Sequence, residues 1–462
     1  MIRRTGALVT AVFSRIVPDP LVIAIALTLL VFVAALVWGR FPEDVDGAAA
    51  RAAWLLDSWR SDAGLWKLLA FAMQMCLILL GGHILAEAPP VRRALRSVAS
   101  LPRSATAAAA AVGFVAMVLG LLNWGLGLIG GAVLARETGR SLQARGVTAH
   151  YPLLCAAGYT GLLVWHGGFS GSAPLSMTTP SGAAKVLPEP LADHTATIPL
   201  SDTVLSGENL LITGGLLLIV PVILALMSPR PEDCTSMHAF APEPDAQEEE
   251  RGSAETVPEM LNSTWFATGL LGLALMAAAV TSTVSTGVDR IGLNTVIMYL
   301  LAAALLLHRS PASFMDAAAR AAAGCAGIIV QFPLYAGIMG LMVTAGLVEQ
   351  LTGAMLSLAT AGTLEVWTMV SAGIVNILVP SGGGQWAVQG PIALEAAAEA
   401  GVESGAMVMA VAYGDELTNM LQPFWALPLL AVTGVRARDI VGYTAIVMVA
   451  AGAWMTLWLL VA

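Results

Sequence analysis

The segment 376–391, with the sequence NILVPSGGGQWAVQGP, most constrains what this chain can fold into. Pro380 and the three glycines that follow disfavour a continuous helix, yet the flanking runs 366–374 and 392–409 are too apolar for a solvated loop. Irregular backbone at membrane depth is tolerated only where it lines a cavity or is buried in protein. We therefore expect a buried turn that ends one half-helix and begins another, with free backbone N–H groups that can hold an anion without an arginine.

The composition indicates a polytopic membrane protein. The chain has 462 residues, 57% hydrophobic and 11% charged, and apolar runs long enough to span a bilayer recur to the C-terminus. Many of the acidic residues that give the chain its net charge of −9 lie in the segment 232–259, which we interpret as a solvated loop. The four cysteines form no CxxC pair, so we expect neither a metal site nor a disulfide framework. No small-residue cleavage site follows the first basic residues, so we expect no cleaved signal peptide.

The two halves of the chain carry the same landmarks. Residues of one type recur at spacings of 253 to 257 positions in four pairs: Gln74 and Gln331, Asn123 and Asn376, Tyr159 and Tyr413, and Pro174 and Pro428. The order of span, amphipathic piece, span, hairpin, broken helix and span also recurs, which is typical of inverted-topology repeats. We therefore predict an all-α polytopic membrane protein built from two such repeats.

The predicted domains follow from these landmarks. They are a first repeat at 1–227 with a basic arm, a hairpin at 104–138 and a broken helix at 150–178; an acidic cytoplasmic linker at 228–262; a connecting span at 263–287; and an inverted second repeat at 288–462 with a hairpin at 366–400 and a broken helix at 405–433. Most of the 22 basic residues fall in cytoplasmic segments if the N-terminus is cytoplasmic and about nine spans and two re-entrant hairpins follow. The hairpins then enter from opposite sides of the membrane.

Four interruptions of the apolar runs form the candidate substrate site: 123–127, 165–172, 376–385 and 415–422. A monocarboxylate needs a few oriented donors and a small apolar pocket. The predicted substrate-binding residues are Asn123, Trp124, Gly125, His166, Gly168, Ser170, Ser172, Asn376, Ser381, Gly382, Gly383, Gly384, Gln385, Asn419 and Gln422, with Phe169, Trp386 and Trp425 as further walls. The alternative is that the tryptophans are interfacial anchors and the glycines only allow close helix packing.

Two acidic residues, Asp415 and Glu416, lie in an apolar stretch with no basic residue nearby in sequence. An unpaired carboxylate at membrane depth is costly, so we expect one of them to bind Na⁺ or carry a proton. The predicted ion-coupling residues are Asn123, Asn376, Asp415, Glu416 and Thr418, and no other metal and no cofactor is expected. Three alternatives stay open: the acidic pair faces water, His166 titrates with the substrate, or backbone carbonyls hold the ion together with the asparagines.

Six short motifs are spread over nearly the whole chain. They are PDPL at 18–21, FAMQM at 71–75, NWGLGL at 123–128, GGFSGS at 167–172, VPSGGG at 379–384 and QPFWALP at 422–428. These motifs resemble those of the bacterial short-chain fatty acid (acetoacetate) transporter family, which is grouped with other ion-driven carriers. The resemblance implies a non-enzymatic, secondary active transporter of acetoacetate, butyrate-like acids and similar monocarboxylates in the inner membrane. It further implies a homodimer that works by an elevator mechanism.

Two other functional classes explain the sequence features less well. A carrier for other small organic anions, such as dicarboxylates, would need a second anion site, which the hairpins with few basic residues do not favour. A non-transporting membrane receptor or scaffold gives no reason for repeated broken helices. No nucleotide-binding loop or HExxH motif is present, and no nucleic-acid partner is expected.

Overall fold

The computed structural model describes residues 18–184, 197–240, 256–287 and 293–461. The predicted basic arm before residue 18 and the central part of the predicted linker, 241–255, lie outside the described residues. Within the described ranges the chain is helical and contains no β-strand. The prediction of an all-α protein is therefore confirmed.

The α-helices are numbered in chain order. The first part of the chain forms α1 (Pro20–Trp38), α2 (Ala48–Arg60), α3 (Leu69–Glu87), α4 (Pro89–Ser100), α5 (Ala105–Leu122), α6 (Trp124–Ala144), α7 (Tyr151–Tyr159), α8 (Ser172–Met177), α9 (Pro180–Ala183) and α10 (Gly207–Met227). The remainder forms α11 (Val257–Ser263), α12 (Trp265–Thr286), α13 (Leu293–Leu307), α14 (Pro311–Ala322), α15 (Ala326–Thr344), α16 (Leu347–Leu356), α17 (Leu364–Leu378), α18 (Gly382–Ala400), α19 (Ser404–Thr418), α20 (Pro423–Thr433) and α21 (Ala437–Leu459).

Eight helical segments of the described chain are long and apolar enough to cross a membrane. They are Pro20–Trp38, Leu69–Glu87, Ala105–Leu122, Gly207–Met227, Trp265–Ser285, Pro311–Thr344, Ala361–Leu378 and Ala437–Leu459. Helix α1 buries only 17% of its apolar window and the α12 segment 22%, so most of their apolar surface faces outward, as expected next to lipid. These observations support a multi-pass membrane protein. The predicted inverted repeats stay a prediction.

The turn at Pro380 differs from its expected form. The non-helical residues are only 379–381, and the three glycines form the first turn of α18. Helix N-terminal N–H groups have no intrahelical partners in any case, so glycine is less costly there than in a helix interior. A side chain at Gly382 would also lie 2.8 Å from the Trp165 ring and 3.1 Å from the His166 ring. Gly382 is therefore explained by close packing as well as by the turn.

The segment predicted as the first hairpin contains helices α5 and α6, which pack against one another with Asn123 alone between them. The expected interruption at 123–125 is thus a single residue, and α6 continues to Ala144, past the predicted end of the hairpin at 138. Asn123 explains this short break, because its side-chain oxygen accepts hydrogen bonds from the N–H groups of Gly125 (3.0 Å) and Leu126 (3.3 Å). Trp124 and Gly125 can therefore start the next helix directly.

Two further helices are interrupted near the centre of the molecule. Helix α7 continues as a 3₁₀ turn at Thr160–Leu163, and residues 164–171 are non-helical before α8. Helix α19 ends at Thr418, and four residues, 419–422, separate it from α20. We call these two stretches the first break (164–171) and the second break (419–422). Asp415 and Glu416, which were expected within an interruption, still belong to the last turns of α19.

Helices α5, α6 and α7 approach one another at glycine residues. A methyl group at Gly131 of α6 would overlap the carbonyl oxygen of Gly158 on α7, and one at Gly158 would lie 2.5 Å from the Gly131 carbonyl oxygen. A methyl group at Gly127 would lie 2.6 Å from the Cα of Gly120 on α5. Only glycine permits backbones to come this close. These glycines therefore allow close packing of the three helices.

Candidate functional site

The first break contacts α19 in the buried interior through the carboxylate of Glu416. Its Oε2 accepts hydrogen bonds from the backbone N–H groups of His166 (2.9 Å) and Gly167 (3.1 Å) in the first break. Glu416 is fully buried, and its other oxygen, Oε1, has no hydrogen-bond partner. The carboxylate therefore joins α19 to the first break while half of its hydrogen-bonding capacity is unused.

The His166 ring bridges Asp415 and Ala173. Its Nε2 lies 3.0 Å from the backbone nitrogen of Ala173, which can only donate a hydrogen, so Nε2 is the acceptor. Its Nδ1 lies 2.6 Å from Asp415 Oδ2 and must carry the hydrogen donated to that carboxylate. The ring is thus a neutral imidazole with its hydrogen on Nδ1.

Asp415 and Glu416 have partners, although no basic residue lies near them in the sequence. Both carboxylates have partners in the first break, which is about 250 positions away in the sequence and cannot be seen in a local window. Nevertheless one oxygen of each remains buried without a partner, Asp415 Oδ1 and Glu416 Oε1. The described chain places no arginine or lysine in an ion pair with either of them. Buried acceptors of this kind normally have a donor or a cation nearby.

The end of α17 is attached to α19 and the second break by Asn376. Its side-chain amide nitrogen lies 2.8 Å from the Asp415 carbonyl oxygen, 3.0 Å from Thr418 Oγ1 and 2.9 Å from Asn419 Oδ1. Its oxygen, Oδ1, is buried without a partner. Gln422 completes the connection, because its Nε2 donates to the carbonyl oxygens of Asn376 (3.2 Å) and Ile377 (2.9 Å). Asn376, Thr418, Asn419 and Gln422 thus form one polar network.

The N-terminus of α18 faces the first break. Ser381 caps the helix by accepting a hydrogen bond from the N–H of Gly384 (3.3 Å), while Gly382 packs against the Trp165 and His166 rings. Gly383 is exposed, and an added Cβ there would be in ordinary van der Waals contact with Ser172, at 3.8 Å. First-turn N–H groups such as that of Gly383 have no intrahelical acceptor. This open space between Gly383 and Ser172 is called the α18 pocket below.

Three predicted residues have structural roles that do not require a ligand. Gln385 donates its amide hydrogens to Ala372 O and Gln389 Oε1, both at 2.9 Å. Ser170 accepts a hydrogen bond from the backbone N–H of Trp124 (2.9 Å) and so attaches the first break to the start of α6. Gly168 lies against the backbone of Leu121, where a Cβ would be 2.5 Å from the carbonyl oxygen.

Aromatic rings surround the junction of α6, α20 and the first break. Trp124 lies 5.3 Å from Trp425 and 6.5 Å from Trp165 between ring centroids, and Trp165 stacks on His166 at 4.3 Å. The indole nitrogens of Trp165 and Trp425 are buried without partners. Of the other predicted wall residues, Phe169 is 45% exposed and Trp386 packs in a separate apolar cluster. Trp165 was missed as a wall residue, although its position beside His166 was a usable signal.

Further residues that the sequence analysis did not select also reach the breaks. Tyr159 donates to a carbonyl oxygen of the second break, and Asn209 of α10 donates to the Gly167 carbonyl oxygen (2.9 Å) in the first. Asn209 lies in an apolar helix, and a buried amide in such a helix was the available signal. Among the described residues, no group of three or more His, Cys, Asp or Glu side chains could hold a metal ion.

Comparisons with known proteins were made over the whole chain. The family model described as short chain fatty acid transporter matches residues 1–461. A candidate short-chain fatty acid transporter of Escherichia coli K12 is 39% identical over 444 residues, and one of Haemophilus influenzae Rd is 34% identical over 448 residues; each alignment covers 96% of both chains. The solved Alcanivorax borkumensis YdaH transporter aligns with 96% of this chain and 98% of its own, at 15% identity and a TM-score of 0.43, which is too low to support an argument.

Proposed function

The chain belongs to the short chain fatty acid transporter family, and from that premise we propose that it is a secondary active carrier of short-chain monocarboxylates across the inner membrane, coupled to H⁺ or Na⁺. Membership of a transporter family makes the protein a non-enzyme. The proposal assigns the substrate, the ion and the conformational step to particular residues. Each assignment is argued separately below.

The observation that carries the proposal is the α18 pocket. The positive end of the α18 dipole and the free first-turn N–H groups favour a carboxylate there, and the Ser172 hydroxyl lies on the opposite side of the same space. A side chain at Gly383 would occupy this space, whereas the glycine leaves it open. One helix terminus without a basic residue suits a single carboxylate, which favours a monocarboxylate over a dicarboxylate.

The apolar part of the substrate is assigned to the aromatic rings beside this pocket. Trp165 contacts both His166 and the Gly382 position, so it lies directly next to the N-terminus of α18. Trp124 and Trp425 extend the aromatic surface away from that terminus. A short acyl chain can pack on these rings while its carboxylate points to the helix N–H groups.

The coupling ion is assigned to the buried carboxylates. In their ionised forms, Asp415 and Glu416 would together bring more negative charge into the interior than the neutral His166 can balance. Their two unpartnered oxygens, Asp415 Oδ1 and Glu416 Oε1, can accept a proton or contribute to a Na⁺ site. Asn376 Oδ1 is a further unpartnered oxygen in the same network. Loading a cation here reduces the cost of the buried charge, which is the physical basis of coupling.

The proposed mechanism keeps the architecture implied by the family resemblance. It comprises two inverted repeats, re-entrant hairpins that contain α5–α6 and α17–α18, a cytoplasmic N-terminus, a homodimer and an elevator movement. In support, each predicted half contains a helix pair with a short turn, followed by an interrupted helix. The first break contacts α19 through Glu416, three positions before the second break begins, so the two breaks are neighbours, as a single carrier site requires.

Uptake of labelled butyrate into proteoliposomes, with pH and Na⁺ gradients imposed one at a time, tests this function. The Gly383→Leu variant should lose most of its uptake by filling the α18 pocket, whereas Gly353→Leu is a matched control at a helical glycine with nothing within 4 Å of the added Cβ. Equal uptake by both variants would place the substrate elsewhere. Stronger competition by succinate than by butyrate would contradict the monocarboxylate assignment.

A further inference from the structure

We propose that Tyr159 and Tyr413 are positioning residues, and that each tyrosine hydroxyl holds the break of the other interrupted helix, so that the two breaks form one unit. The role of this connection in transport rests on the proposed function. Its structural content, a crosswise connection between the breaks, can be tested without transport. Neither tyrosine contacts the α18 pocket directly, so both are assigned an indirect role.

Tyr159 lies at the end of α7, just before the first break, but its hydroxyl bonds to the second break. The hydroxyl oxygen is 2.8 Å from the carbonyl oxygen of Asn419 and 3.1 Å from that of Gln422, the first and last residues of that break. Tyr159 is 1% exposed, so water cannot easily replace this donor. Carbonyl groups at the end of a helix lack intrahelical partners, and Tyr159 supplies one.

Tyr413 makes the corresponding connection in the opposite direction. It lies in α19, before the second break, and its hydroxyl donates to Asn209 Oδ1 (3.1 Å). Asn209 in turn donates through its Nδ2 to the carbonyl oxygen of Gly167 in the first break (2.9 Å). Tyr413 is fully buried and Asn209 is 2% exposed. Tyr413 therefore reaches the first break through one intermediate side chain on α10.

The two connections bear directly on the candidate site. Gly167, which receives the Asn209 bond at its carbonyl oxygen, donates its N–H to Glu416. Asn419, which receives the Tyr159 bond at its carbonyl oxygen, accepts the amide of Asn376 at its side chain. Each tyrosine therefore fixes a residue that itself contacts a proposed ion-coupling group. Two irregular segments held only at their own ends would be free to shift relative to one another.

Tyr151 provides a matched control within the same fold. It lies on α7, is 1% exposed, and donates its hydroxyl to the carbonyl oxygen of Thr433 at 3.0 Å. That bond also joins α7 to the segment after the second break, but at the far end of α20. Replacing Tyr151 by phenylalanine removes a bond of the same type between neighbouring helices without touching either break.

The decisive measurement is hydrogen–deuterium exchange of the full-length protein in lipid nanodiscs. Tyr159→Phe should raise the exchange rate roughly tenfold in peptides that cover the second break and leave the first break less affected. Tyr413→Phe should give the reverse pattern, and Tyr151→Phe should change neither break. The proposal would be overturned if Tyr159→Phe and Tyr413→Phe each raised the exchange rates of both breaks equally. It would also be overturned if each variant raised only the exchange rate of the helix that carries the substituted tyrosine.

The same variants connect the inference to transport. In proteoliposomes, Tyr159→Phe and Tyr413→Phe should raise the apparent KM for butyrate roughly tenfold, while Tyr151→Phe keeps the wild-type KM even if its unfolding temperature falls. A KM that is the same in all three variants would show that the tyrosines act on stability alone and would overturn the positioning role. If the wild type does not transport butyrate while the crosswise exchange pattern is present, the proposed function fails and the connection between the breaks stands.

Discussion

Replacing His166 by alanine tests the buried bridge between the first break and α19. In the native protein Asp415 has one partner for its two oxygens, the His166 ring, and Ala173 donates its N–H to the same ring. His166→Ala leaves a carboxylate with no side-chain donor and a backbone N–H with no acceptor. Both groups are in the interior, because His166 and Ala173 are fully buried and Asp415 is 1% exposed.

The expected cost follows from these two losses. A hydrogen bond to a charged group contributes about 1.5–3 kcal/mol, and an unsatisfied buried N–H costs about 1–3 kcal/mol. We therefore expect His166→Ala to lower the free energy of unfolding by about 3–5 kcal/mol, similar to breaking a buried ion pair. Adding Asp415→Asn removes the uncompensated charge. The double variant should then be more stable than the sum of the single effects by at least about 1 kcal/mol.

The assay is the apparent unfolding temperature in one detergent at one heating rate, measured for both single variants and the double variant. His83→Ala is the matched control, since His83 contacts Glu87 at 3.0 Å but the two side chains are 16% and 27% exposed. It should cost less than about 1 kcal/mol. Equal losses for His166→Ala and His83→Ala, or additive effects of His166→Ala and Asp415→Asn, would refute an energetically important hydrogen bond between His166 and Asp415.

Three further predictions concern coupling, topology and packing. Glu416→Gln keeps an oxygen for the two backbone donors but removes the charge, so gradient-driven accumulation should be lost while substrate exchange persists; full accumulation would exclude Glu416 as the coupling group. Cysteines introduced at Arg140 and Gly362 on a cysteine-free background should react with impermeant reagents from opposite sides of the membrane, and labelling from one side would exclude the inverted repeat. Gly131→Ala should strongly reduce the yield of folded protein, in contrast to Gly214→Ala, where nothing lies within 4 Å of the added Cβ.

The sequence predicted the interruptions well because their causes are local. The turn at Pro380 and the one at Asn123 are encoded by residues that end or cap helices within a few positions. The detailed form of the Pro380 turn was wrong, since the three glycines lie in the first turn of α18 and Gly382 packs against Trp165 and His166. Those two residues are more than two hundred positions away, and no local pattern reveals them.

The partners of the acidic residues could not be predicted for a similar reason. No basic residue lies within one helical turn of Asp415, and the actual partner, His166, comes from the first break. The sequence selected His166, Asp415 and Glu416 individually, because polar groups in apolar runs are costly. Their pairing depends on how the two interrupted helices cross, which is a tertiary property. The hydrogen bonds donated by the hydroxyls of Tyr159 and Tyr413 could not be predicted for the same reason, although the sequence marks the two tyrosines as equivalent landmarks.

The glycine contacts among α5, α6 and α7 have a mechanical consequence. Interfaces built from side chains can slide, because leucines and methionines change rotamer and keep their contacts. An interface in which Gly131 and Gly158 bring two backbones together has no such freedom, since no side chain is present to adjust. The three helices can therefore move only together, as one rigid body. Any displacement during a transport cycle has to occur at the side-chain-mediated boundaries around this block, for example where α10 packs against α5 and α21.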